Sequence, residues 1–468
     1  MARVAGVSID SRTVRPGELF IAIHGPRHDG HTFIPAALAA GALAGLVARG
    51  RVAEYPSEVR GRLFVVEDTL AALHRLASRA CEVWRKAKPG RLIGAVAGSV
   101  GKTTTKEILA ALVGSRFRVL KTQGNLNNEY GLPLTLLRLD DEHDAAVIEL
   151  GMSRRGELGQ LTRICAPDLG LITQVAIEHL EFFSSIEDIA LAERELIENL
   201  PWPNATAVLN ADDQRVAHFA DVARGRVITF GTNSRAEFRA EAIREHGLEG
   251  AEFDFVSPTG RVRLELPLIG RHNVMNAIAA LAAASVWGIT AADAKKVFPG
   301  LRPADKRGEV VRFEEGFTII NDSYNSSPSA LTALMELLAA TPGYRRRILA
   351  AGEMLELGPS SAELHRECGR AAARLGIDWL LGVRGHAAEL VRAAIDAGYA
   401  PARTRSFETS DEAAQFLKKF VARGDLLLLK GSRGVRMEKI LEAIDSEHRR
   451  AESAGLPDRV AAGRKGRD

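Results

Sequence analysis

The sequence predicts an α/β protein of three domains: a small α/β unit, a central parallel-sheet unit and a second doubly wound sheet. Three observations lead there. The 468 residues correspond to about three domains at roughly 150 residues each. Short apolar runs alternate with stretches of helical periodicity, as in sheets covered by helices on both faces. One of those runs ends in a glycine-rich turn that opens a helix, the local form of a phosphate-binding loop.

In the first unit, residues 1–88, Leu19 to Ile23 predicts a strand and the alanine-rich stretch Phe33 to Val47 a helix. A second helix follows Glu67-Asp68-Thr69, where leucines and alanines recur at helical spacing. Lys86 to Gly90 reads as a hinge. In the second unit, residues 89–300, Arg91–Ala97, Ala145–Leu150, Leu169–Thr173 and Ala205–Leu209 predict strands buried on both faces. Residues 236–268 alternate instead, which predicts an antiparallel edge. In the third unit, residues 301–446, strands are expected at Phe317–Ile320, Arg347–Ala351, Trp379–Val383 and Leu426–Leu429. The charged tail 447–468 is expected to be disordered.

Composition excludes several classes. Lys plus Arg is 62 and Asp plus Glu is 59, a net charge of +3, which argues against a dedicated nucleic-acid binder. The three cysteines, Cys81, Cys165 and Cys368, form no CxxC pair and suit a reducing compartment. No apolar run approaches the roughly 20 residues of a membrane span, and Ala277 to Trp287 reads as a buried helix. The N-terminus shows no signal-peptide core. A cytoplasmic protein without membrane insertion is expected.

The strongest local signal is Gly98-Ser99-Val100-Gly101-Lys102-Thr103-Thr104. Its glycines let backbone N–H groups turn towards phosphate oxygens. The helix N-terminus and Lys102 add positive potential, and Thr103 can hold Mg²⁺. Val96 stands where the longer form of this loop has its first glycine, so this is the shorter GxxGKT form. The bland alternative is a glycine-rich turn with an exposed lysine.

Other candidates lie at strand ends. Glu149 ends the run VIE and suits a Mg²⁺ ligand, or a helix cap. His179 follows the run LGLITQ and is either a metal ligand or a structural histidine. Asn273 and Asn276 open an alanine-rich helix and could read a base edge or cap that helix. Asp322, Tyr324 and Asn325 follow the run FTII, and Lys430 follows LLLL. Each is either a turn residue or a polar contact for an anionic ligand.

Together these pieces resemble the Mur ligases of peptidoglycan synthesis, over about residues 8 to 445. The resemblance is carried by Asp10-Ser11-Arg12, Pro16-Gly17-Glu18-Leu19-Phe20, Asp29-Gly30-His31 and the GKTTTK loop. It continues in TQGNLNNEYGLPLTL (Thr122 to Leu136), ELGM, HLEFF, LNADD, GRHNVMNA, NDSYNSSP, AGEMLELG and KGSRG, in the family's order. It implies a domain for the UDP end of a precursor, a central ATPase and a C-terminal Rossmann-like domain.

Within the family, the TQGNLNNEYGLPLTL and NDSYNSSP runs are similar to those of the ligases that use UDP-N-acetylmuramoyl-tripeptide and D-Ala-D-Ala. ATP would convert the tripeptide carboxylate to an acyl phosphate, which the dipeptide amine attacks. The resemblance implies that Lys102, Thr103 and Glu149 hold the phosphates and a first Mg²⁺, with His179 at a second metal. Asn273 and Asn276 would meet adenine, and Arg307 and Asp322 the nucleotide. Ser11, Arg12, His31, Asn125 and Asn128 would bind the precursor, with Tyr324, Asn325 and Lys430 near the dipeptide or the reacting centre.

The pattern departs from the family at two places. Glu193, in Ala192-Glu193-Arg194-Glu195, stands where members commonly carry a lysine carbamylated by CO₂. Glutamate already presents a carboxylate, so Glu193 is expected to serve as metal ligand without CO₂. Ser327 stands where asparagine is usual. The competing readings are a related amide ligase of the folylpolyglutamate type, another amino-acid-adding member, or a nucleotide-binding regulator without catalysis. A monomer is expected on family grounds.

Overall fold

The computed structural model describes residues 4–25 and 28–451. The chain divides into two compact units. The first runs to Leu301; the second takes the chain from Arg302 onward with the short pieces His246–Glu249 and Leu268–Gly270.

The first unit contains two sheets. Four parallel strands stand in the order Val7–Ser8, Leu19–Ile21, Ala44–Ala48 and Leu63–Val66. The stretch 33–47, expected as one helix, splits here. A helix covers Ile34–Ala39, Gly41 turns at φ 103°, and Ala44–Ala48 continues as a strand. Alanine favours helix only where packing does not decide otherwise; residues 44–47 are buried in the middle of this sheet.

The helix Thr69–Ala87 is capped by Asp68, whose carboxylate accepts the Ala71 N–H at 2.9 Å. Its first half packs Ala72 and Leu73 against Leu19, Ile21 and Leu46. Its second half sends Ala77, Cys81 and Trp84 into the core of the larger sheet, with Ile93, Ile148 and Leu161. The expected hinge at Lys86–Gly90 is therefore pinned on both sides. Trp84 Nε1 donates to the His143 carbonyl at 3.1 Å, Arg85 to the Ala166 carbonyl at 2.6 Å, and Arg91 to the Trp84 carbonyl at 2.7 Å.

The larger sheet has nine strands, in the order Gly260–Leu266, Ala251–Ser257, Phe238–Glu245, Arg226–Gly231, Thr206–Asn210, Leu169–Ile172, Leu92–Ala97, Ala145–Glu149 and Val119–Lys121. Pairing is parallel from Val119–Lys121 across to Phe238–Glu245, and antiparallel at the hairpin edge, as the alternation at 236–268 predicts. Leu92–Ala97 lies between Ala145–Glu149 and Leu169–Ile172. Three adjacent carboxyl ends thus meet at one rim, where ligands of such sheets bind.

The second unit is a six-stranded sheet in the order Glu309–Arg312, Thr318–Asp322, Asp425–Lys430, Arg346–Gly352, Trp379–Val383 and Thr404–Phe407. Only the first strand is antiparallel. Of the tail expected to be disordered, residues 447–451 pack on this unit. Arg450 bridges Phe313, and the His448 ring meets Phe317 edge-on at 5.1 Å. The apolar contact that orders them was not legible in their own composition. Residues 452–468 lie outside the described residues.

Candidate active site

The loop Gly98–Gly101 leaves the Leu92–Ala97 strand and enters the helix Lys102–Gly114, which carries Thr103 and Thr104 in its first turn. Gly98 and Gly101 adopt φ 115° and 94°, a region open to glycine and strained for other residues. Space decides there too. A Cβ at Gly98 would lie 2.2 Å from Thr173 Oγ1, and one at Gly101 2.3 Å from Asn276 Oδ1. Thr173 Oγ1 donates to the Val100 carbonyl at 2.7 Å, and the Ser99 N–H donates to the Gln174 carbonyl at 2.7 Å. The third strand end thus braces the loop. Lys102 Nζ folds back onto the Ser99 carbonyl at 3.1 Å and stands 3.7 Å from Glu178 Oε1.

Glu149 ends the next strand and is buried. Its N–H donates to Thr122 Oγ1 at 2.9 Å, and its Oε1 accepts from Asn127 Nδ2 at 2.8 Å. Its Oε2 is buried without a hydrogen-bond partner. Such an orphan calls for an explanation, and a carboxylate oxygen left open beside a phosphate loop fits a Mg²⁺ ligand.

His179 sits at φ 53° with Nε2 3.9 Å from Glu178 Oε2. Glu193, on the helix Ile186–Glu198, reaches the loop directly: its Oε2 accepts the Gly98 N–H at 2.8 Å. Burial pushes its carboxyl up to about 7, and the charge of Glu178 adds to this. Lys102, the Gly98 N–H and His179 pull the other way. Among the described residues, no three His, Cys, Asp or Glu side chains gather closely enough to hold a metal alone. Mg²⁺ commonly takes only one or two carboxylates and completes its shell with water and phosphate oxygens, so Glu149 with Thr103 suits it.

Asn273 and Asn276 lie together on the helix Arg271–Ala284. Asn276 Nδ2 donates to Asn273 Oδ1 at 3.0 Å, and its Oδ1 accepts from Thr105 Oγ1 at 3.3 Å. The Asn276 amide therefore supports the phosphate loop from beneath Gly101.

The expected precursor-binding residues divide. Ser11 is half-buried, and the exposed Arg12 forks onto Asp10 at 2.9 and 2.6 Å, a bond that holds the Asp10 carboxyl down at about 2. His31 already has a partner at each ring nitrogen. It is buried, its Nδ1 meets Asp29 Oδ1 at 2.8 Å, and its Nε2 accepts the Ala48 N–H at 3.1 Å. Both ring nitrogens belong to the fold. Asn128 Oδ1 caps its own turn through the Gly131 N–H at 2.9 Å, while Asn125 is exposed on the same loop.

In the second unit, the structure brings all five expected residues to the carboxyl ends of two neighbouring strands. Lys430 is buried, with Nζ 2.7 Å from Asp322 Oδ1 and 3.0 Å from the Asn325 carbonyl. The Arg307 guanidinium lies 4.3 Å from the Tyr324 ring centre, and that of Arg433 5.4 Å. Arg433 escaped the sequence reading as a site residue, as did Thr122, Asn127, Thr173, Glu178 and Lys106. Most of them stand inside the motifs that carry the family resemblance, which were the available signal.

A phosphate loop on a parallel sheet, an open carboxylate on the adjacent strand and a separate Rossmann-like sheet define a class of nucleotide-dependent enzyme, and the sequence relationships say which. Residues 96–284 match the Mur ligase middle domain, residues 306–433 the Mur ligase glutamate ligase domain, and residues 3–80 the catalytic domain of the Mur ligase family. The chain belongs to the Mur ligase family.

Within it, the chain is 36% identical over 443 residues to the UDP-N-acetylmuramoyl-tripeptide–D-alanyl-D-alanine ligase of Escherichia coli (strain K12), covering 94% of this chain and 93% of that one. It is similar to a crystal structure of MurF from Acinetobacter baumannii, with TM-score 0.84, 28% identity and 95% and 94% of the two chains covered. It is also similar to the MurF ligase of Thermotoga maritima in complex with ADP, with TM-score 0.80, 29% identity and 95% and 98% covered. Among the described residues no helix is long and apolar enough to cross a membrane.

Proposed function

We infer that this chain is an ATP-dependent ligase that joins D-alanyl-D-alanine to UDP-N-acetylmuramoyl-tripeptide in peptidoglycan precursor synthesis, releasing ADP and phosphate. The observation that supports it best is the open, buried Oε2 of Glu149 on the strand beside a GKT loop, in a chain related end to end to ligases of that name.

A carboxylate is a poor acyl donor, and phosphorylation gives it a leaving group. Donor carboxylate and γ-phosphate repel each other, so cations must bring them together. Loop N–H groups and the helix N-terminus hold the phosphates. Lys102 exchanges its loop carbonyls for phosphate oxygens. Thr103 and Glu149 would hold one Mg²⁺, and His179 with Glu193 a second. Mg²⁺, when bound, supplies charge neutralisation along the transferred phosphoryl group.

Asn273 and Asn276 would flank the nucleotide base, and by resemblance to the family Arg307 and Asp322 are read as nucleotide contacts. Tyr324, Asn325 and Lys430 would serve the dipeptide, and Ser11, Arg12, His31, Asn125 and Asn128 the precursor. Domain limits at 88 and 300, a cytoplasmic site of action and a monomeric state belong to the same reading.

The test is phosphate release from ATP and Mg²⁺ with UDP-N-acetylmuramoyl-tripeptide, with D-Ala-D-Ala present or omitted, in CO₂-depleted and bicarbonate-supplemented buffers. Release that requires both peptides and ignores bicarbonate is expected. Release indifferent to D-Ala-D-Ala would overturn the assignment in favour of a nucleotide-dependent regulator. Dependence on bicarbonate would remove Glu193 from the metal site.

A further inference from the structure

Lys106 lies one helical turn beyond Lys102, yet its side chain turns inward and is 1% exposed. A buried ammonium is costly unless its partners satisfy it. Lys106 Nζ donates to the Thr122 carbonyl at 2.7 Å, pairs with Glu107 Oε1 at 2.9 Å and stands 3.9 Å from Glu149 Oε2. Lys121 also pairs with Glu107. Two lysines therefore face two glutamates, and Glu149 is the partner left for Lys106 to balance.

The other side of Glu149 is held just as closely. Asn127 Nδ2 occupies its Oε1, and the Asn127 carbonyl accepts the Gly151 N–H at 2.9 Å. A Cβ at residue 151 would lie 2.9 Å from Asn127 Nδ2, so glycine there admits the amide. Thr122 Oγ1 takes the Glu149 N–H. One short loop, residues 122–127, thus fixes both the backbone and one oxygen of Glu149. Lys106 fastens that loop through the Thr122 carbonyl.

We propose that Lys106 and Asn127 are positioning residues that aim the open oxygen of Glu149 at a divalent cation. The inference rests on the metal-holding role proposed for Glu149. A partner of this kind fixes the ligand's orientation, and its loss commonly weakens metal affinity by about 10-fold or more. A buried ion pair that served stability alone would leave cation affinity untouched.

The experiment titrates a fluorescent ADP analogue into the full-length protein, its Asn127→Ala and Lys106→Met variants and Glu149→Gln, in EDTA and across a Mg²⁺ series. The parent is expected to bind the analogue more tightly with Mg²⁺, and Glu149→Gln to lose that gain. Asn127→Ala and Lys106→Met are expected to need about 10-fold more Mg²⁺, while binding in EDTA stays within about twofold of the parent. Asn127 is half-buried in a loop, so its variant carries the test if Lys106→Met fails to fold. An unchanged Mg²⁺ requirement in folded variants overturns the positioning role, as does an equal loss in EDTA. A parent that ignores Mg²⁺ overturns the reading of Glu149 as well.

Discussion

The carboxylate of Glu193 accepts the backbone N–H of Gly98 across 2.8 Å, joining a helix to a phosphate loop 95 residues away in sequence. The burial of that carboxylate, which the Gly98 N–H only partly offsets, has a consequence in proton chemistry. Burial pushes the folded carboxyl up to about 7, against an ordinary value of 4.5. Below about 4.5 both folded and unfolded chains hold the proton. Between the two values only the folded chain keeps it, so stability falls as pH rises and levels off above 7. The difference is roughly 3 kcal/mol. Urea unfolding of the metal-free protein at pH 5 and pH 8 should show Glu193→Gln gaining on the parent at the higher pH. Parallel behaviour of the two proteins would contradict it.

Gly98→Ala tests the loop's geometry. A methyl group there meets Thr173 Oγ1 and the backbone of residues 173 and 174, at a φ of 115°. The loop must shift, and nucleotide binding should fall by more than 10-fold. Retention of parental affinity for ADP in a filter-binding or fluorescence titration would mean that the loop does not hold phosphate in this form.

Glu149→Gln keeps the shape of the side chain and its acceptor for Asn127, but removes the charge. Turnover should drop by roughly 100-fold, the scale expected when one group that stabilises developing charge is lost. Circular dichroism should match the parent. A variant that turns over within a few-fold of the parent would exclude Glu149 from the metal site.

The Lys430–Asp322 pair makes a stability prediction in the second unit. Lys430 is 3% exposed and Asp322 17%. Lys430→Met leaves a largely buried carboxylate without its cation, which should cost about 3 kcal/mol. Adding Asp322→Asn to Lys430→Met should recover much of that loss. A double variant as unstable as the single one would show that the charge balance is not what matters there.

Much of this arrangement was legible in the sequence. The strand, turn and helix around Gly98–Lys102 announce themselves because glycine, lysine and threonine at that spacing serve one chemistry. The place of Glu149 at a strand end on the rim was legible from the apolar run before it. Asn127 and Lys106 were not, although both lie in motifs read at the outset: their importance depends on a carboxylate that the fold brings to them.

The strand Val119–Lys121 has three residues, too few for any periodicity to register. The alanine run at 33–47 misled because composition favours helix while burial between two strands imposes extension. His31 was expected by resemblance to meet the precursor; that its ring nitrogens bond Asp29 and the Ala48 N–H depends on a strand the fold brings to it, which its own sequence neighbours do not show.

The helix Thr69–Ala87 carries a last consequence. Because one rod supplies side chains to two hydrophobic interiors, neither of the first two sheets is complete without it. Scissors placed at residue 88 would take Trp84 and Cys81 away from the nucleotide-binding sheet and leave an oily furrow open to water. Placed before residue 69, they would strip the small N-terminal sheet of Ala72 and Leu73. Segments that look separable along the sequence thus share one helix, and a cut on either side of it opens an apolar core.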